Sequence, residues 1–225
     1  MITLYYMAGS CSIAPHIVLE EIGSDFNFVS LDMSQGDLDT PSFREISPSG
    51  YVPALMTDEG PLTENAAILL YLGQIHPEAK LLLTQSSFDI ARINSFNVFL
   101  SNSVAEAYRA LSRSSMFVDG EAAISSLRAK VPGRVERLYD IIEKRFADGR
   151  QWVHGDDYTV SDPYLFIWSS YLQWGDRGDP DRYPLVRAHR ERVLARPATQ
   201  RAISREGKGD PALFFSAEKS FAGID

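Results

Sequence analysis

Ser49 to Leu72 reads SGYVPALMTDEGPLTENAAILLYL, and several independent local signals stack within this span. Tyr51-Val52-Pro53-Ala54-Leu55-Met56 has the composition of a short strand, yet Pro53 lacks an N–H and belongs at a strand's first residue or in a special turn. A cis Val52–Pro53 bond fits that position. Asp58-Glu59-Gly60-Pro61 gives a tight turn, Leu62 begins a return strand, and Thr63-Glu64-Asn65 precede the apolar run Ala66 to Leu72. The reading is a hairpin feeding a helix.

Two backbone features of this stretch carry chemistry. A cis X–Pro turn leaves the N–H and C=O of Val52 open to pairing with an extended peptide. The helix start behind Glu64 and Asn65 offers N–H groups and a positive dipole end, a seat for a carboxylate. A ligand with a peptide backbone and a free carboxylate suits both, and Glu64 could answer an α-amino group beside it. The plainer alternative stays open: Pro53 shapes a sheet edge, and Thr63 or Asn65 caps a helix.

Upstream, Ile2-Thr3-Leu4-Tyr5-Tyr6 is a strand of β-branched and aromatic residues, followed by Ala8-Gly9-Ser10-Cys11-Ser12. A helix follows, with an apolar face from Ile13, Ile17 and Leu19, Pro15 in its first turn and Gly23 as its stop. Phe26 to Leu31 alternates as a second strand, and Ser42 to Ile46 is weakly helical. The order β-α-β-α-β-β-α is that of a thioredoxin-like unit, in which a cysteine after the first strand and a cis-proline before the third converge. Cys11, at a helix start, is expected to have a lowered thiol pKa; a small thiol buried under the helix is the competing reading. Ala14 stands where a dithiol enzyme would carry its second cysteine, so redox chemistry at Cys11 would need an outside thiol. Ser12 is either a hydroxyl donor to a bound thiolate or a helix cap.

The 225 residues are enough for one large or two smaller domains. Lys and Arg total 22 against 30 Asp and Glu, a formal charge of −8, which argues against nucleic acid as a partner. One cysteine excludes an internal disulfide framework, no apolar run approaches membrane-spanning length, and no leader is recognisable, so a reducing cytoplasm is the expected location. No metal site is expected.

Past a linker at about 77–86 the pattern turns helical. Ile90, Ile93, Phe96, Val98, Phe99, Leu100 and Val104 stripe a long helix to about Arg113, and Ile124, Leu127, Val131, Val135, Leu138, Ile141 and Ile142 mark another, which Pro132-Gly133 should kink or break. Thr159 and Asp162 have N-cap and N3 spacing ahead of a nearly all-round apolar helix holding Tyr164, Leu165, Ile167, Trp168, Tyr171 and Leu172. Tyr183-Pro184-Leu185 opens a further helix and Arg196-Pro197-Ala198 another, before a tail from about Gly207. The expected division is a thioredoxin-like domain over 1–76 and an all-helical domain over 87–225.

LYYMAGSCSIAPHIVLEE, SPSGYVPALMTDEGPLTENAAILLYL and HGDDYTVSDPYLFIW, in this order and spacing over about residues 1–205, resemble the bacterial glutathione transferases, the beta class most closely. The resemblance implies a glutathione-binding thioredoxin-like domain, a helical domain shaping the pocket for a small hydrophobic electrophile, a homodimer with active sites near its interface, and a place in detoxification. By the same resemblance Cys11 and Ser12 lie near the glutathione sulfur as catalytic candidates, Tyr51, Val52 and Pro53 flank its cysteinyl backbone, and Glu64 with Asn65 holds the γ-glutamyl end. Tyr108, Arg109 and Trp168 are candidates for the co-substrate pocket. Departures are equally specific: Ala105 and Glu106 stand where the family resembles His-Lys, Val98 replaces an asparagine, and Pro163 follows Asp162. Two functions therefore compete, a glutathione transferase (by conjugation or thiol-disulfide exchange) and a glutathione-fold binding protein without turnover. The tail Pro211-Ala212-Leu213-Phe214-Phe215 is not diagnostic of a substrate.

Overall fold

The computed structural model describes residues 1–83, 86–172 and 179–207; the tail segment 211–215 lies outside them. The sheet is built around β1 (Thr3–Tyr6), whose alternation buries Leu4 and Tyr6. β2 (Asn27–Ser30) pairs with β1 in parallel, β3 (Ala54–Thr57) pairs with its other edge antiparallel, and β4 (Gly60–Thr63) closes the hairpin, giving the order β2-β1-β3-β4. Pro61 sits on the outermost strand, where its missing N–H interrupts no ladder. β2, the opposite edge, leaves Phe28 and Val29 partly exposed, so its sequence alternation does not become an inside and an outside.

Between β1 and β2 runs α1 (Ile13–Ile22), ended by Gly23 at φ 73°, whose N–H reaches Leu19 O. One apolar face was expected, but every residue from Ile13 to Glu20 is buried. The reason is position: α1 packs on α3 (Asn65–Ile75), on α7 (Ser161–Tyr171) and on α9 (Pro197–Glu206) at once. α9 is tied to α1 by Arg196 on Glu21, Arg201 and Arg205 on Glu20, and Glu206 Oε1 at 2.9 Å from His16 Nδ1. Burial drives this last pair to its neutral forms, with His16 pushed down and Glu206 pushed well up.

α2 (Pro41–Ile46) is short, capped by Thr40, whose hydroxyl accepts from Phe43 N. The first helical-domain helix is not uniform as expected: α4 (Ser87–Phe99) and α5 (Ala105–Ser112) are joined by a π-helical turn over Leu100–Val104. Ser101 Oγ donates to Asn97 O at 2.9 Å there, taking an acceptor that the regular ladder would use. α6 (Glu121–Phe146) runs through Pro132 without the break that Pro-Gly predicts, because Val131 and Val135 anchor it on both sides. Ile141, assigned to its apolar stripe, is 58% exposed; Tyr139 and Phe146 fill the core instead. α7 is buried along nearly its full length, and α8 (Pro184–Leu194) covers it. At the start of α7 the fully buried Asp162 carboxylate accepts from Thr159 N at 2.7 Å, Val153 N at 2.8 Å and His189 Nε2 at 2.9 Å. Among the described residues no helix is long and apolar enough to cross a membrane.

Candidate active site

A cleft of about 490 Å³ opens where the sheet's β1–α1 loop and the turn before β3 face α5 and α7. The structure brings Cys11, Tyr51, Val52, Pro53, Glu64, Asn65, Tyr108, Arg109 and Trp168 to its walls. Ser12 is not among them.

The β1–α1 loop explains both the presence and the absence. Ser12 is fully buried; its Oγ donates to Met7 O and accepts from Met7 N, both at 3.1 Å, and lies 2.7 Å from Ser10 Oγ. It stitches the turn and faces away from the cleft, while Ser10, which the sequence did not single out, lines it. Cys11 is half-buried, with its thiol donating toward Val52 O at 3.7 Å. The lowered pKa expected from the helix start is reversed: burial pushes the thiol up to about 11, against the weaker pull of Arg109 and Asn65. The first turn of α1 has few donors left for a thiolate, since Ile13 N goes to Ser10 O and Ala14 N to Cys11 O.

The start of α3 is built differently. Val52–Pro53 is cis, and the hairpin returns to Glu64, a non-glycine residue at φ 71°, ψ 120°. Such a conformation costs of order 1–3 kcal/mol and persists where the surroundings impose it. Glu64 is exposed, and no side chain caps the first turn of α3. Asn65, buried behind it, donates Nδ2 to Cys11 O at 3.2 Å, while its Oδ1 has no partner.

The opposite wall is aromatic. Tyr108 stacks on Trp168 with centroids 6.1 Å apart, and Tyr171 closes on both at 5.3 and 5.4 Å. Tyr108 is further held by Tyr139 at 3.2 Å. Ala105 and Glu106 also line the cleft, and Glu106 carries Arg109 at 3.0 Å, whose guanidinium lies 5.2 Å over the Tyr51 ring. The cation at this wall thus comes from Arg109, one turn beyond Ala105 and Glu106. Among the described residues no group of three His, Cys, Asp or Glu is placed to hold a metal ion.

A thioredoxin-like sheet with a cis-proline edge opening onto a cleft roofed by a helical domain defines the architectural class. Comparison narrows it. The family model described as "Glutathione S-transferase, N-terminal domain" matches residues 1–74 and that for the C-terminal domain residues 115–197. A glutathione S-transferase of Xanthomonas campestris, GST-4.5, is 30% identical over 206 residues, spanning 91% of this chain and 98% of the relative. A glutathione transferase homologue from Sulfitobacter, solved with bound glutathione, superposes with a TM-score of 0.84 at 28% identity, over 91% of this chain and 98% of its own. The beta class glutathione S-transferase of Sphingomonas chungbukensis does so with a TM-score of 0.78 at 30% identity, over 91% and 98%. The chain belongs to the glutathione S-transferase family.

Proposed function

We propose that the protein is a glutathione transferase that holds glutathione extended along the sheet side of the cleft. The cysteinyl backbone pairs with the N–H and C=O of Val52, with Tyr51 and Pro53 on either side, and the γ-glutamyl carboxylate sits on the uncapped first turn of α3. Glu64 and the free Oδ1 of Asn65 meet the α-amino group. The observation that carries this reading is the coincidence of that open helix start with the Val52 edge in one cleft. The sulfur then lies beside Cys11, facing Tyr108, Trp168 and Arg109, where a small hydrophobic electrophile is attacked. The thiol proton passes to bulk water, and the carbon–sulfur bond forms as an aryl halide's halide departs with its electron pair, or as an isothiocyanate's C=N π pair moves to nitrogen, which takes up a proton.

The neutral Cys11 thiol favours conjugation over thiol-disulfide exchange, because the thiolate is the exchanging species. The finer assignment follows the beta class, with a glutathione-binding domain over 1–76, a linker over 77–86 and the helical domain over 87–225, working as a cytoplasmic homodimer in detoxification. Calorimetry with glutathione, followed by aryl halide, isothiocyanate, hydroperoxide and mixed-disulfide substrates, tests the reading. Binding with turnover of the first two is expected; absence of binding overturns it.

A further inference from the structure

We propose that Tyr164 and Trp168, both on α7, supply the hydrogen-bond donors to the sulfur of bound glutathione, so that thiolate stabilisation comes from the helical domain. The inference rests on the glutathione reading above and extends it to the group that activates the thiol.

The first domain has little left to donate. Ser12 Oγ is buried and spent on Met7, Ser10 Oγ accepts from Ser12 N at 3.2 Å and shares a proton with Ser12 Oγ, and the Cys11 thiol donates toward Val52 O. On α5, Ala105 presents a methyl group. Ser101, in the π-helical turn, gives its hydrogen to Asn97 O.

Two donors on α7 are differently placed. Tyr164 and Trp168 stand one helical turn apart, their ring centroids separated by 6.1 Å, and both line the cleft together with Cys11. They are only 2% and 6% exposed. Trp168 Nε1 is buried without a partner at full hydrogen-bond geometry, although it stands close enough to the Tyr164 hydroxyl to act on it as a donor, and an indole N–H can only donate. A donor engaged only that weakly is left with part of the cost of an unmade bond, which an anionic ligand would return. Burial holds the Tyr164 hydroxyl protonated and negative charge at Cys11 raises it further, against the weaker pull of hydrogen bonding with Ser101 and Trp168; the Cys11 coupling puts the hydroxyl in the field of whatever sulfur occupies this end of the cleft. The charged groups lining the same space are Glu64 from the start of α3, Glu106 and Arg109 from α5, and Arg113 beyond its end; the two cations offset the two carboxylates, so the directed donors decide the sulfur's charge. On activation the thiol proton passes to bulk water and the lone pair stays on sulfur, facing the two donors.

The test is a pH titration of the thiolate's ultraviolet absorbance with glutathione bound to wild type, Tyr164→Phe and Trp168→Phe, alongside calorimetry with glutathione and with S-methylglutathione, which has no ionisable thiol. Loss of a hydrogen bond to a charged group should raise the midpoint by about one unit in Tyr164→Phe and by a similar or smaller amount in Trp168→Phe. S-methylglutathione affinity should stay within about twofold of wild type, which a merely structural role would not predict. Unmoved midpoints in both variants, or equal losses for the two ligands, overturn the assignment while the glutathione reading stands. A wild type that binds neither ligand overturns both. Should Tyr164→Phe fail to fold, the Trp168→Phe midpoint decides alone.

Discussion

Two helices of the first domain begin at the same cleft and resemble each other as sequence, a strand followed by small and polar residues and then an apolar run. The start of α1 is closed: Ser10 and Cys11 carbonyls take its first N–H groups, and Ser12 sews the loop together from inside. The start of α3 is open, uncapped by any side chain and preceded by a strained, exposed Glu64. The first arrangement stabilises a loop and leaves its cysteine neutral; the second keeps donors in reserve for a ligand. A helix N-terminus is therefore an anion site only when its own loop has not already used it.

The start of α7 is the closed arrangement taken furthest, and the largest effect is expected there. Asp162→Ala would strand the Thr159 and Val153 N–H groups and His189 in a dry interior, at a cost of about 3–5 kcal/mol. Denaturant unfolding measures it, and a loss below about 1 kcal/mol would mean that closure at this helix is not structural. Next comes the reactivity of Cys11. A thiol raised from its ordinary 9.0 to about 11 holds roughly a hundredfold less thiolate at neutral pH. Iodoacetamide should accordingly alkylate Cys11 far more slowly than free cysteine at pH 7, with the rate still climbing above pH 9. Since the folded pKa lies above the unfolded one, the group's contribution to stability is present below the unfolded value and is lost as pH rises toward 11. Alkylation faster than free cysteine would restore the open-helix reading of α1.

This contrast marks how far the sequence could be read. β1, the Gly23 stop, the hairpin and the start of α3 were legible because each depends on residues within a few positions: a missing N–H, a left-handed glycine, a period of two. The wall of α7 announced itself as an apolar helix; Asp162 does reach back to Thr159 N as the spacing predicts, but the helix begins one residue later, with Val160 and not Thr159 before its first residue. What stayed hidden depends on partners distant in the chain. Whether the α1 donors were free turned on carbonyl directions in the loop. The π-helical turn at Leu100–Val104 left no compositional mark, and Ile141 fitted the stripe of α6 by spacing while facing solvent. Ser10 and Tyr164 read as a loop serine and a core tyrosine; only packing puts them at the cleft.

Ser12→Ala sharpens the comparison from the closed side. Removing the hydroxyl leaves Met7 N and O and Ser10 without their buried partner, which should lower stability by about 1–3 kcal/mol. Glutathione affinity should remain within about twofold, since Ser12 is turned from the cleft. A variant of unchanged unfolding midpoint that loses turnover would return Ser12 to the reacting sulfur.

The smallest effect, and the one that best separates the two helix starts, belongs to Glu64. Its side chain is exposed, so Glu64→Ala should leave stability nearly unchanged while weakening glutathione about tenfold through the lost partner of the α-amino group. Glu64→Gly removes the same carboxylate and also relieves the backbone, because φ 71° costs glycine nothing. Part of that relief is returned as the greater freedom of the unfolded chain, leaving a net gain of about 1 kcal/mol. The pair of variants thus predicts opposite signs for one position: a more stable protein that binds its ligand less well. Chemical unfolding and calorimetry on both variants read this directly. If Glu64→Gly is less stable than wild type, the strain at the start of α3 is not real; if neither variant loses affinity, the open helix start is not where the γ-glutamyl group sits.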